Sequence, residues 1–261
     1  MLTDFRRNLV NNLKKTAIAV ALMMTSACAT NIHRAEINAD PYENVNRKIF
    51  AFNDALYENV VFPIAKGYRA ITTKTIRERV SDVTRNMDEP VSTINYLLQL
   101  KPKESIISLS RFVINSTLGL GGMFDVATGW GLKLEPTTMN KTLASWCVAD
   151  GPYLVVPVIG PKTPRDLVGS ATDFAADPIY WATRHDANYQ AKISYPYTAI
   201  KYTNKIEGFM DYYNDFKENS VDFYATMRSA YLQNQRKLRC RFAPEENMAS
   251  YDFDFEDMDE E

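Results

Sequence analysis

Thr25-Ser26-Ala27-Cys28 is the first run in the chain whose residue types and spacing spell out a reaction. Small residues followed at once by cysteine resemble a processing site at which the cysteine becomes the acylated N-terminus. The preceding residues agree with this. Arg6, Arg7, Lys14 and Lys15 give a charged leader and TAIAVALMM (16–24) a short apolar core, which together read as an export signal over residues 1–27. Leucine is usual where Thr25 stands, so the alternative is an ordinary signal cleaved near Ala27, with Cys28 incidental. Acylation of Cys28 would fix the mature protein to a membrane, since each buried methylene contributes about 0.8 kcal/mol.

Other reactive side chains are sparse. Cys147 and Cys240 remain after Cys28, and an exported chain meets an oxidising compartment. A Cys147–Cys240 disulfide is the candidate pairing and two separate buried thiols the alternative. The only histidines are His33 and His185, too few for a histidine metal cluster. The sequence has no G-x-S-x-G elbow and no G-x-x-x-x-G-K-[ST] phosphate loop. The GLGG run (119–122) does not complete G-x-G-x-x-G, because Phe124 takes the third glycine's place. These absences predict a protein that is not an enzyme and uses no cofactor, no metal and no nucleotide.

The elements that would position anything else read as helices. Asp40-Pro41-Tyr42-Glu43 has the form of a capping box, followed by Val45, Ile49, Phe52 and Leu56 at helical spacing to about Val60. Ile76, Val80, Val83 and Met87 form a second stripe, which Pro90 is expected to break before another helix with Val91, Ile94, Leu97 and Leu98. After Pro102, Ile106, Leu109 and Val113 share one face, widened by Ile107, Phe112 and Ile114. A helix apolar most of the way round is buried in protein or touches lipid. Gly119, Gly121 and Gly122 end it, as close-packed turns or as a hinge. Thr163-Pro164-Arg165-Asp166 opens a further capped helix. Tyr197, Ile200, Ile206, Phe209 and Tyr213, then Phe223, Met227 and Tyr231, carry weaker helical periodicity.

The fold class expected is all-α, one helical domain over residues 40–240 on a tether (28–39). Nine acids and no lysine or arginine lie between Glu245 and the end, so 30 basic residues face 23 acids in the rest, a net +7. Residues 241–261 therefore read as an acidic disordered tail. No later stretch reaches the roughly 20 apolar residues of a membrane-spanning helix.

GPYLVVPVIGPKTPRD (151–166) fits neither a core strand nor a buried helix, because Pro157 sits in the middle of its apolar run. It reads as an extended apolar loop wedged between helices. Together with DPYENVNRKIFAFND (40–54) and NSTLGLGGMFDVA (115–127), in this order and spacing, it resembles the MlaA (VacJ) lipoproteins over roughly residues 40–235. The resemblance implies a ring-like, membrane-embedded amphipathic structure at the periplasmic face of a Gram-negative outer membrane. Ala29 after Cys28, where inner-membrane retention would favour Asp, agrees with that address. It further implies removal of mislocalised phospholipid from the outer leaflet through a central channel. The implied partners are phospholipids, a trimeric outer-membrane porin and a periplasmic lipid carrier, with no nucleic acid. One departure is LASWCVADGPY, with Ala144, Cys147 and Ala149 where relatives favour glycine, so loop mobility there is expected to fall.

Candidate residues for the lipid path are Asn46, Arg47 and Asn53, the polar edge of the first helix, with an ordinary solvated face as the alternative. Gly151, Tyr153, Leu154, Val155, Pro157 and Ile159 of the loop are candidates for facing acyl chains or the channel wall, with a crossover buried in the core as the alternative. Arg165 and Asp166 are expected to cap and pair within the fold. The competing reading of the whole chain is a structural lipoprotein that scaffolds a porin without transporting lipid; a phospholipase is the third.

Overall fold

The computed structural model describes residues 40–238 and 240. The expected signal peptide, Cys28, the tether with His33, and the acidic tail lie outside the described residues.

Helix α1 runs Glu43–Leu56 and passes through a π-helical turn, Tyr57–Val61, into α2, Phe62–Ile71. The helix goes further than its stripe predicts. At the π turn the Phe62 N–H reaches back five residues to the Tyr57 carbonyl, and Pro63 follows in the first turn of α2. The N-cap is not the expected Asp40. Tyr42 is the N-cap and makes no side-chain cap bond, while Glu43 accepts from Arg47 Nε at 2.8 Å instead.

Helix α3 spans Lys74–Leu98, capped by Thr73, and contains Pro90. The predicted break at Pro90 is absent. The segment is held by packing on the adjacent helix α4, Pro102–Thr117: Ser108 Oγ donates to the Glu89 carbonyl and Ser105 Oγ to the Thr93 carbonyl. Short α5, Val126–Gly129, and α6, Met139–Ser145, lead to residues 151–166.

That stretch is a hairpin, which corrects the reading of a single extended loop. Strand β1, Leu154–Val156, pairs antiparallel with β2, Gly160–Lys162, in the register Leu154 to Lys162 and Val156 to Gly160. Pro157 sits in the reversal, where a ladder donor is not required. Thr163 then caps α7, Pro164–Ala176, by accepting from the Asp166 N–H at 3.3 Å. Helix α8, Pro178–Thr183, a short α9, Ala187–Tyr189, and a second π-helical turn, Gln190–Ser194, lead into α10, Tyr195–Asn219, and α11, Phe223–Arg236.

Two small aromatic clusters close the apolar core. Phe62, Ala65, Met210 and Tyr213 join α2 to α10, and Tyr153, Val155 and Tyr224 join the hairpin to α11. Edge-to-face pairs link them, with ring centres 4.9 Å apart for Tyr213–Phe223 and 5.5 Å for Phe50–Tyr224. No helix among the described residues is long and apolar enough to cross a membrane. The fold is predominantly helical, the hairpin being its small β element.

Candidate functional site

On most helices the buried face is polar and the exposed face apolar. In α4, Ser105, Ser108, Arg111 and Asn115 are buried, while Ile106, Leu109 and Val113 are at least half exposed. In α3, Asn86, Glu89, Ser92 and Asn95 point inward, and Ile76, Ile94 and Leu97 outward. In α1, Asn46 and Asn53 are buried and Val45 and Phe52 exposed. Among the described residues, buried polar side chains outnumber buried apolar ones 21 to 11. The largest of the fully buried side chains are Arg111, Glu89, Asn46 and Asn86. A water-soluble domain does the reverse.

Polar interiors persist only when their groups are paired. Arg111 donates to Glu89 at 2.7 Å, to Asp125 at 2.9 Å, and to Thr128 and the Leu132 carbonyl. Burial works against the Asp125 charge, but hydrogen bonds from Thr128, Arg111 and Asn115 hold its carboxyl down at about 2. Arg165 pairs with Asp150, donates to Asn140 and the Val148 carbonyl, and its charge is opposed first by burial. Arg165 and Asp166 thus serve the fold, as expected: Asp166 accepts from Tyr231 at 3.0 Å and pairs with Lys162.

Two of the first-helix candidates, Asn46 and Asn53, hold the hairpin. Asn46 donates to the Tyr153 carbonyl at 3.1 Å and accepts from the Val155 N–H at 2.9 Å. Two helical turns on, Asn53 donates to the Val156 carbonyl and accepts from the Val158 N–H at 2.7 Å. Their amides complete β1's outer edge, as a third strand would. Both are buried and so form no solvated face. Arg47 bridges Glu43 and Asp222 and lies 4.4 Å from the Tyr224 ring centre.

The hairpin candidates divide. Tyr153 and Val155 are core residues, Leu154 is half-buried, and Gly151 and the tip, Pro157 with Val158 and Ile159, are exposed. Gly151, at φ +75°, turns the chain against Pro164. Gly119 has no room for a side chain, since a Cβ would lie 2.3 Å from the Phe124 carbonyl oxygen. Cys147 is joined to Cys240 by a disulfide with Cα atoms 4.6 Å apart. Cys147 adopts φ +65°, a left-handed conformation natural to glycine.

The sequence reading missed a cavity of about 290 Å³ between α3, α7, α8 and α10. Asp88, Asp173, Asp177, Lys201 and Lys205 bring charge to its wall, and Val91, Phe174 and Tyr202 bring apolar surface. Lys201 Nζ pairs with Asp88 at 2.5 Å. Burial pushes the Asp173 carboxyl up, against donors from the Met139 N–H and Asn95. Between α2, α3 and α10 a more open charged notch of about 400 Å³ has its arginines answered: Arg69 and Arg77 both meet Glu207, at 2.6 and 3.1 Å. The signal for the cavity was present in α10, where Lys201 and Lys205 stand four apart on one face. Their counterpart, Asp88, is remote in sequence.

A helical protein with an apolar exterior, a hydrogen-bonded polar interior and no helix fit to span a membrane is of the kind built for a lipid boundary. This chain belongs to the MlaA lipoprotein family, whose model matches residues 38–238. It is 31% identical over 84% of its length to the intermembrane phospholipid transport system lipoprotein MlaA of Haemophilus influenzae, covering 87% of that protein. It is 33% identical over 66% of its length to the protein of the same name from Escherichia coli, covering 70% of it. An uncharacterized protein of Rickettsia felis is 41% identical over 73% of the chain and 74% of its own length. A solved structure from work on the structural basis for maintenance of bacterial outer membrane lipid asymmetry superposes with a TM-score of 0.66 at 29% identity. The match takes in 77% of this chain and 99% of that one.

Proposed function

We propose that this chain is an outer-membrane lipoprotein, held at the periplasmic face by acylated Cys28. There it moves mislocalised phospholipid out of the outer leaflet and passes it to a periplasmic carrier, beside a trimeric porin. The observation that carries the reading is the reversed helices: apolar residues outside, paired polar residues within. The names of the relatives support phospholipid as the cargo.

The physical need for such a fold is plain. Wetting the some thirty methylenes of a two-chain phospholipid would cost roughly 25 kcal/mol at about 0.8 each. A protein whose outer face is itself hydrocarbon-like leaves the acyl chains in apolar surroundings while the head group follows polar side chains. The exposed hairpin tip, Pro157 to Ile159, joins that outer face, and the cavity beside α10 offers the polar side.

Deleting the gene should raise outer-leaflet phospholipid and sensitivity to detergent; unchanged asymmetry would overturn the reading. A porin scaffold without transport predicts something else. Sealing the cavity with an engineered disulfide between α3 and α10, with porin binding intact, would then leave lipid composition unaltered, whereas transport predicts that it alters.

A further inference from the structure

We propose that the cavity beside α10 selects a zwitterionic phospholipid head group, a phosphate joined to a primary ammonium, over a purely anionic one. The proposal rests on the transport reading above and names the lipid class for the same site.

Size comes first. Pockets that enclose a drug-sized ligand measure about 300–1,000 Å³, so about 290 Å³ admits a head group and excludes two acyl chains. Phe174 and Tyr202 line this cavity and are more than half exposed. They carry its rim onto the apolar exterior, where the chains would stay.

Charge comes second. Three carboxylates, Asp88, Asp173 and Asp177, face two ammonium groups, Lys201 and Lys205. Asp88 is answered by Lys201. Among the described residues, Asp173 and Asp177 are met by neutral donors only, the Met139 N–H and Asn95 for the first, the Ile179 and Tyr180 N–H groups for the second. Lys205 has no carboxylate partner among the described residues. The cavity thus presents one unanswered cation and two carboxylates without counter-ions. A phosphate alone meets a negative balance, and an ammonium alone leaves Lys205 unanswered. A group with both charges answers Lys205 with its phosphate and the carboxylates with its ammonium.

The test uses the full-length acylated protein, exchanged into vesicles of equal phosphatidylethanolamine and phosphatidylglycerol, then isolated with its retained lipid and weighed by native mass spectrometry. Lipids with photoactivatable chains, crosslinked and mapped, show whether they sit at Tyr202. Phosphatidylethanolamine should be retained about threefold over phosphatidylglycerol, the size expected of one partly exposed charge pair. Asp88→Asn should shift the ratio toward phosphatidylglycerol, and Lys205→Glu should lower retention of both; circular dichroism checks that each variant folds. Lipid crosslinked at Tyr202 in the bulk ratio would overturn head-group selection and leave the transport reading standing. Absence of any retained lipid would overturn both. Occupation by water-soluble glycerophosphoethanolamine with no lipid bound would assign the cavity to a soluble phosphodiester and overturn the proposal.

Discussion

Asn46 and Asn53 each satisfy one carbonyl and one N–H of the hairpin, a task that helical side chains seldom take on. Because the Asn46 side chain is buried, its removal takes a hydrogen-bond partner from the Tyr153 carbonyl and from the Val155 N–H where water does not reach. Asn46→Ala should destabilise the protein by about 1–3 kcal/mol, the penalty for an unsatisfied buried group, read as a lower urea midpoint in detergent. Asn46→Asp keeps the acceptor for the Val155 N–H but sets a carboxylate against the Tyr153 carbonyl, and should be worse. Acid should act through Asp125. Its carboxyl is held at about 2, below the roughly 3.9 of an unfolded aspartate. A depressed carboxylate gives stability that is present above the unfolded value and is lost as pH falls toward the folded one. Stability should therefore drop between about pH 4 and pH 2, and Asp125→Asn should flatten that segment of the curve while lowering stability at neutral pH.

The elements were legible where the period alone decides and illegible where a distant partner does. Stripes such as Ile106, Leu109 and Val113 give helices, and Thr163 with Asp166 gives a start, because both signals are local. Pro90 misled because the helix that contains it is held from outside, by Ser105 and Ser108 of another helix bonding the Thr93 and Glu89 carbonyls. Pro157 misled because a proline central to an apolar run is harmless if the chain reverses there, and the Asn46 and Asn53 clamps that stabilise the reversal lie about a hundred residues away. Period could not say which face is inside, since it reports a stripe and not the medium the stripe meets. The turn after α4 tests a local claim. Gly121 and Gly122 both have positive φ, +73° and +92°, but a Cβ meets nothing within 4 Å at Gly121 and lies 2.6 Å from the Asn86 Cβ at Gly122. Gly121→Ala should cost about 1 kcal/mol for conformation alone. Gly122→Ala adds overpacking and should cost about 2–4 kcal/mol. Equal thermal shifts for the two would show that α3 does not press on this turn.

At the scale of the molecule, one covalent bond and one surface decide behaviour. The Cys147–Cys240 bridge spans 93 positions and encloses the hairpin with α7 to α11. In the chain-entropy account a loop of that length is worth roughly 4–5 kcal/mol, so reduction, or Cys240→Ser, should lower the melting temperature measured in detergent. What a substitution on the apolar surface does depends on the medium that covers it. Val113, Ile106 and Leu97 are 51%, 65% and 60% exposed. If water covers them, replacing one with lysine changes stability by no more than about 0.5 kcal/mol and does nothing else. If hydrocarbon covers them, each replacement forfeits roughly 1.5–3 kcal/mol of apolar burial and places a charge where it is costly. The acyl anchor would mask that loss, so the comparison belongs in a Cys28→Ser chain, whose attachment depends on the folded body alone. Ile106→Lys with Val113→Lys should leave detergent melting nearly unchanged and should abolish flotation with phospholipid vesicles. Ser108→Leu, on the opposite face of the same helix, should do the reverse: vesicle binding by whatever folds persists, and folding itself suffers because Glu89 loses a donor at 2.6 Å. Flotation unaffected by the paired lysines would place this face in water, and a polar interior wrapped in exposed isoleucine and valine would then have no physical explanation.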